Sequence, residues 1–167
     1  MIEVVIDSIR ISLISQHRIV MLRDVDGERR LPIWIGPCEA EAITIELQDV
    51  EIARPVTHDL LKNVVEEVGG TVSHILINEL RDQVFYARLF VDLNGEMLEI
   101  DCRPSDAIAV AVRAKVPIFV EEPVMEEAGI LPEPDVDEEV DEQEAEKLDA
   151  FKDFVDTLDF DDFEGDE

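Results

Sequence analysis

Three groups of side chains have the types and spacing to act on an anion. The first is Arg54-Pro55-Val56-Thr57-His58-Asp59, which places a guanidinium, a hydroxyl, an imidazole and a carboxylate just ahead of an apolar-periodic stretch. Pro55 and Thr57 signal a helix start there, with Thr57 as its N-cap. Unpaired N–H groups at a helix start favour anions. An arginine can grip a phosphate with two donors, and a histidine can give or take a proton near neutral pH. His58, Asp59 and Arg54 are therefore candidate catalytic residues, and Thr57 is a candidate substrate contact. The same residues have a structural use as well. Thr57 would cap, Asp59 would complement the helix dipole, and Arg54 and His58 would be solvated.

The second group is Glu39 and Asp106, each placed at about the third position of an expected helix. An acid there interacts with the positive helix end, worth roughly 0.3–1 kcal/mol. If the two carboxylates approach each other, they become candidate ligands for Mg²⁺ or Mn²⁺. The third group is Asp101, Arg103, Ser105 and Asp106, where a strand runs into a helix. Arg103 and Ser105 are candidate substrate contacts, and the structural alternative is a surface ion pair of little energetic value. The sequence contains no P-loop, dinucleotide fingerprint, HExxH, paired CxxC or Gly-x-Ser-x-Gly elbow.

The elements that must position these groups are legible as periodicity. Met1–Asp7 reads as a first strand, and Ile9, Ile11 and Leu13 continue with alternation. Strands follow over 18–23 and through Leu31, Ile33 and Ile35, separated by an Asp26-Gly27 turn signal. Trp34, flanked by Ile33 and Ile35, reads as a packing anchor ahead of a base-stacking platform, and an exposed indole there would indicate an interface. Pro37 opens a helix to about Gln48, carrying Ala40, Ile43 and Leu47. The helix after Thr57 carries Leu60, Leu61, Val64, Val65 and Val68 on one stripe and closes at Gly69-Gly70. Strands over about 71–80, 84–93 and 98–102 follow, the last two joined by Asn94-Gly95. The next helix, from Pro104 to about Lys115, is apolar nearly all round and should be central. A short strand at 117–120 and a helical turn at 124–128 complete the body.

Two stretches repeat one pattern. Gly27-Glu28 leads to Pro37-Cys38-Glu39-Ala40, and Gly95-Glu96 leads to Pro104-Ser105-Asp106-Ala107. Each reads hairpin, Pro-x-acid-Ala, helix. The expected class is α+β, with duplicated strand-hairpin-helix units and mixed or antiparallel sheets packed on central helices.

Charge divides the 167 residues sharply. Residues 133–167 carry 18 acids and 2 lysines, and residues 1–132 carry 24 acids and 12 basic residues, for a net charge of -28. A basic groove across the whole surface is excluded. The expected division is a domain over 1–131, an acidic linker over 132–147 and an acidic tail over 148–167. In the tail, Leu148, Phe151, Val155 and Leu158 recur at the spacing of a short amphipathic helix. No apolar run reaches the ~20 residues of a membrane span. Cys38 and Cys102 are too few for a disulfide framework, although a bridge between them stays open. A cytoplasmic protein is expected.

Leu31-Pro32-Ile33-Trp34-Ile35-Gly36, Glu39-Ala40, Arg54-Pro55-x-Thr57-His58-Asp59-Leu60, Pro104-Ser105-Asp106-Ala107-Ile108-Ala109, Pro117-Ile118 and Ala128-Gly129 occur in one order that resembles the bifunctional nuclease family. The resemblance covers about four fifths of the chain. It implies a compact α+β domain, a homo-oligomer with a dimer favoured, and cleavage of RNA and DNA without base specificity. The rival expectation is a non-enzymatic interaction or regulatory module, which accounts equally for the acidic surface.

Overall fold

The computed structural model describes residues 1–12 and 17–132. Its elements are β1 (Ile2–Ile11), β2 (Arg18–Asp24), β3 (Arg30–Ile35), α1 (Pro37–Leu47), α2 (Thr57–Glu67), β4 (Gly70–Arg81), β5 (Val84–Leu93), β6 (Glu96–Cys102), α3 (Pro104–Ala114), β7 (Ile118–Val120) and α4 (Glu122–Ala128). The expected strand continuation at Leu13 and the expected tail helix lie outside the described residues. Among the described residues, no helix is long and apolar enough to cross a membrane.

All seven strands join one mixed sheet in the order β3-β2-β1-β7-β4-β5-β6. Only β4 and β7 pair in parallel; every other neighbouring pair is antiparallel. The order follows from the connections. β1-β2-β3 and β4-β5-β6 are antiparallel meanders, and the short β7 enters between β1 and β4. The Asn94-Gly95 turn is a two-residue hairpin, with φ of 56° and 89°. Asp82-Gln83 makes the corresponding turn between β4 and β5, again with both φ values positive. Such backbone matches the twist of the strands it joins.

Each edge hairpin feeds a helix: β2-β3 leads to α1, and β5-β6 leads to α3. The apolar helix is central, as its composition requires. Ala107, Ile108, Ala109, Val110 and Ala111 are all fully enclosed, and α3 packs on α1, α2, β4 and β5. Leu22, Leu31, Ile43, Ile75, Ile77 and Met125 fill the rest of the core.

Two expectations about α2 change. Its N-cap is Val56, with Thr57 as the first helical residue. The reason is Asp59 at N3, whose Oδ2 accepts the Val56 N–H at 2.8 Å and does the capping from inside the helix. The apolar stripe is also mostly outside. Val65 is buried, whereas Leu60, Leu61, Val64 and Val68 are exposed.

Candidate active site

Three helices begin at one place. α1, α2 and α3 each lack a side-chain cap on the N-terminal residue, and each carries an acid at N3: Glu39, Asp59 and Asp106. The starts of α1 and α3 are set by Pro37 and Pro104 at N1, where proline loses no intrahelical bond. A cleft of about 380 Å³ opens between the three starts, lined by Glu39, Thr57, His58, Arg103, Asp106 and the exposed Cys38. Unpaired N–H groups and three positive dipole ends therefore face one volume.

The side chains in this cleft form a connected chain. His58, only 8% exposed, places Nε2 at 3.2 Å from Asp106 Oδ1. Arg103 donates from Nε to Asp106 Oδ2 at 2.6 Å and from Nη2 to Oδ1 at 3.0 Å. The same Nη2 reaches Glu39 Oε1 at 2.7 Å. Burial alone would raise the Asp106 carboxyl. Its hydrogen bonds and attraction to Arg103 and His58 outweigh burial and hold it below the usual carboxylate range. Asp106, and secondarily Glu39, hold the Arg103 guanidinium still more firmly protonated. An ionised Asp106 accepts a proton donor from His58 Nε2, which selects one imidazole tautomer and leaves Nδ1 for other partners. The Arg103 Nη1 donors have no partner among the described residues. The Arg103 side chain is 67% exposed, so two N–H groups remain available to an anion.

Sequence neighbours separate here. Asp59 follows His58 but faces a different cleft, of about 300 Å³, shared with Arg54, Pro55 and Arg113. Its Oδ1 accepts a short hydrogen bond from Arg113 Nε. Burial tends to raise Asp59; the Val56 N–H and Arg113 outweigh it and set its pKa below the ordinary range. Arg54 is exposed on that second cleft. Ser105 is buried and lines a third cleft, which Arg103 also borders. His58, Asp106, Arg103, Glu39 and Thr57 are thus brought together, while Arg54, Asp59 and Ser105 are placed around them.

Arg113 is the residue sequence reasoning missed. It is 6% exposed and ties three helices. Besides Asp59 of α2, it donates to Ala109 O of its own helix at 2.8 Å and Ala42 O of α1 at 3.0 Å. The available signal was a single cation ending an otherwise apolar central helix, which must find a carboxylate when buried.

The donor set does not form a ready metal centre. Among the described residues, no group of three His, Cys, Asp or Glu side chains converges as metal ligands. Glu39 and Asp106 line the same cleft, and the Arg103 guanidinium bridges them. Cys38 and Cys102 are both free thiols. Burial, with Asp101 and Asp106 nearby, pushes the Cys102 thiol up to about 11.

Residues 20–133 match the model of the bifunctional nuclease domain, and the chain belongs to that family. An uncharacterized protein of Mycobacterium tuberculosis is 42% identical over 165 residues, covering 96% of this chain and 97% of its own. Bifunctional nuclease 2 of Oryza sativa subsp. japonica is 35% identical over 115 residues, 66% of this chain. Bifunctional nuclease 1 of Arabidopsis thaliana is 32% identical over 110 residues, 64% of this chain. The matched region spans only about a third of each plant protein, 35% and 34%.

Proposed function

We propose that this chain is a nuclease that hydrolyses phosphodiester bonds of RNA and DNA in the cleft at the three helix starts. The carrying observation is the His58–Asp106–Arg103 chain, in a family whose plant members are named bifunctional nucleases. His58 Nδ1 takes a proton from the attacking water. Asp106 holds the ring and stabilises the imidazolium that forms. Arg103 Nη1 and the helix N–H groups stabilise charge on the phosphoryl oxygens. The bond from phosphorus to the leaving oxygen breaks as the water oxygen bonds; the departing alkoxide takes up a proton from solvent, and the His58 imidazolium returns its proton to solvent. Glu39 positions Arg103, and Thr57 lines the substrate path. Asp59 holds the start of α2, and Arg54 offers a second phosphate contact around the corner. None of these contacts reads a base edge, which accounts for low base specificity.

Mg²⁺ or Mn²⁺ would gain both carboxylates only by displacing Arg103. Cleavage of labelled single-stranded RNA and DNA, compared in Mg²⁺, Mn²⁺ and EDTA, tests the reading. Cleavage by the purified chain is expected; no product under any of these conditions would overturn it.

A second reading, an interaction module or homo-oligomer with a dimer favoured, has one observation in its favour. Leu60, Leu61, Val64 and Val68 leave an apolar face on α2 exposed. Sedimentation at several protein concentrations tests it.

A further inference from the structure

The third cleft, about 270 Å³ and bordered by Trp34, Gln83, Arg103 and Ser105, shares only Arg103 and the first turn of α3 with the chemistry above. Trp34 is 62% exposed on edge strand β3, between Ile33 and Ile35, which are 3% and 8% exposed. Alternation therefore turns the indole away from the core, and its ring face has no aromatic or cationic partner among the described residues. Ser105, at N2 of α3, is 7% exposed, and its hydroxyl has no hydrogen-bond partner among the described residues. The N–H groups of Ser105 and Asp106 lie in the first turn, where no intrahelical acceptor exists. Arg103 borders this cleft and the His58 cleft alike, with its Nη1 donors open.

We propose that Trp34, Ser105 and Arg103 form a nucleotide subsite for single-stranded nucleic acid. An unpaired base stacks on the Trp34 indole, and the adjoining phosphate is held by the Ser105 hydroxyl, the first-turn N–H groups of α3 and Arg103 Nη1. This rests on the nuclease reading and deepens it, because it names the strand state of the substrate. A base inside a duplex offers no free face to an indole, whereas an unpaired base of any identity does. The cleft joins an apolar wall to anion-binding donors, which matches the flat base and the charged phosphate of one nucleotide. Ile33, Ile35, the exposed Val84, Phe85 and Pro104 give the cleft an apolar wall, and the Arg103 guanidinium, the Gln83 amide and the Ser105 hydroxyl stand beside it.

Trp34 is the single tryptophan of the chain, so its fluorescence reports the site directly. The His58→Ala full chain, chosen so that the probe survives, is titrated with single-stranded DNA of about eight nucleotides and with the same sequence as a duplex. Anisotropy of a labelled strand measures binding independently. The single strand should quench the emission to saturation, and the duplex should not. Trp34→Ala should weaken single-strand binding roughly 5- to 100-fold, with Trp34→Phe retaining most of it. Ser105→Ala should weaken binding without abolishing the quench. Binding by anisotropy without quenching, or equal binding by Trp34→Ala, overturns the subsite while cleavage by the unmutated chain keeps the nuclease reading. Quenching that follows protein concentration instead of DNA assigns Trp34 to a self-interface and also overturns the subsite. Absence of both binding and cleavage overturns both readings.

Discussion

His58 and Asp106 are 48 positions apart and meet at 3.2 Å, the contact on which the proposed acid–base chemistry rests. Asp106→Asn keeps the shape but loses the charge that selects the imidazole tautomer. It should therefore lower turnover by at least about tenfold, with a smaller change in KM, as steady-state cleavage rates would show. Asp59 belongs to a different task. Arg113 is buried and depends on it, so Asp59→Ala leaves an unpaired interior cation. A loss on the order of 3 kcal/mol is expected in urea unfolding. The pH dependence has a defined sign. Asp59 and Asp106 are both held below the ordinary carboxylate value of about 4. Their stabilisation is present above that value and is lost as pH falls through their lowered values. The stability difference between the unmutated chain and Asp59→Asn should thus be constant from pH 5 to 8 and shrink below about pH 4. The residue types of the site were legible from sequence, but their partition was not. His58 and Asp59 are adjacent in the chain and about 100° apart around a helix, and only packing against α3 decides which one meets Asp106 and which meets Arg113.

At the level of elements, three helix starts border the proposed site. Proline at N1 and an acid at N3 made α1 and α3 readable in advance, together with the Asn94-Gly95 hairpin and the central position of α3. The start of α2 was misplaced by one residue because Thr57 is a good N-cap, yet Asp59 reaches the Val56 N–H first. The stripe of α2 was legible as apolar, but periodicity reports a hydrophobic face and not what covers it. The same limit applied to the Asp82-Gln83 turn, whose positive φ values belong to residues with no strong turn signature. Gly36 adds a prediction at this scale. A Cβ there would run into the Glu39 carboxylate, which folds back toward the start of α1. Gly36→Ala should displace Glu39 from Arg103 and lower cleavage while leaving the unfolding midpoint nearly unchanged, as parallel assays would show.

A net charge of -28 opposes the proposed polyanionic substrate. Among the described residues, at least seven of the twelve basic side chains sit within ion-pair distance of a carboxylate. Little free positive charge is left to attract a polyanion, so affinity must come from a few local contacts. With about two phosphates neutralised, binding of a single strand should fall less than about tenfold between 50 and 200 mM salt. A steep loss would indicate a larger basic track. The acidic balance was plain in composition, whereas the convergence of three helix starts needed the β1-β2-β3 and β4-β5-β6 meanders to be joined into one sheet. The most direct measurement is the cleavage rate of labelled single-stranded RNA by the full chain and by His58→Ala, each shown to be folded. Cleavage by the full chain is expected, with a fall of at least about tenfold in the variant. An equal rate in the two proteins would contradict it.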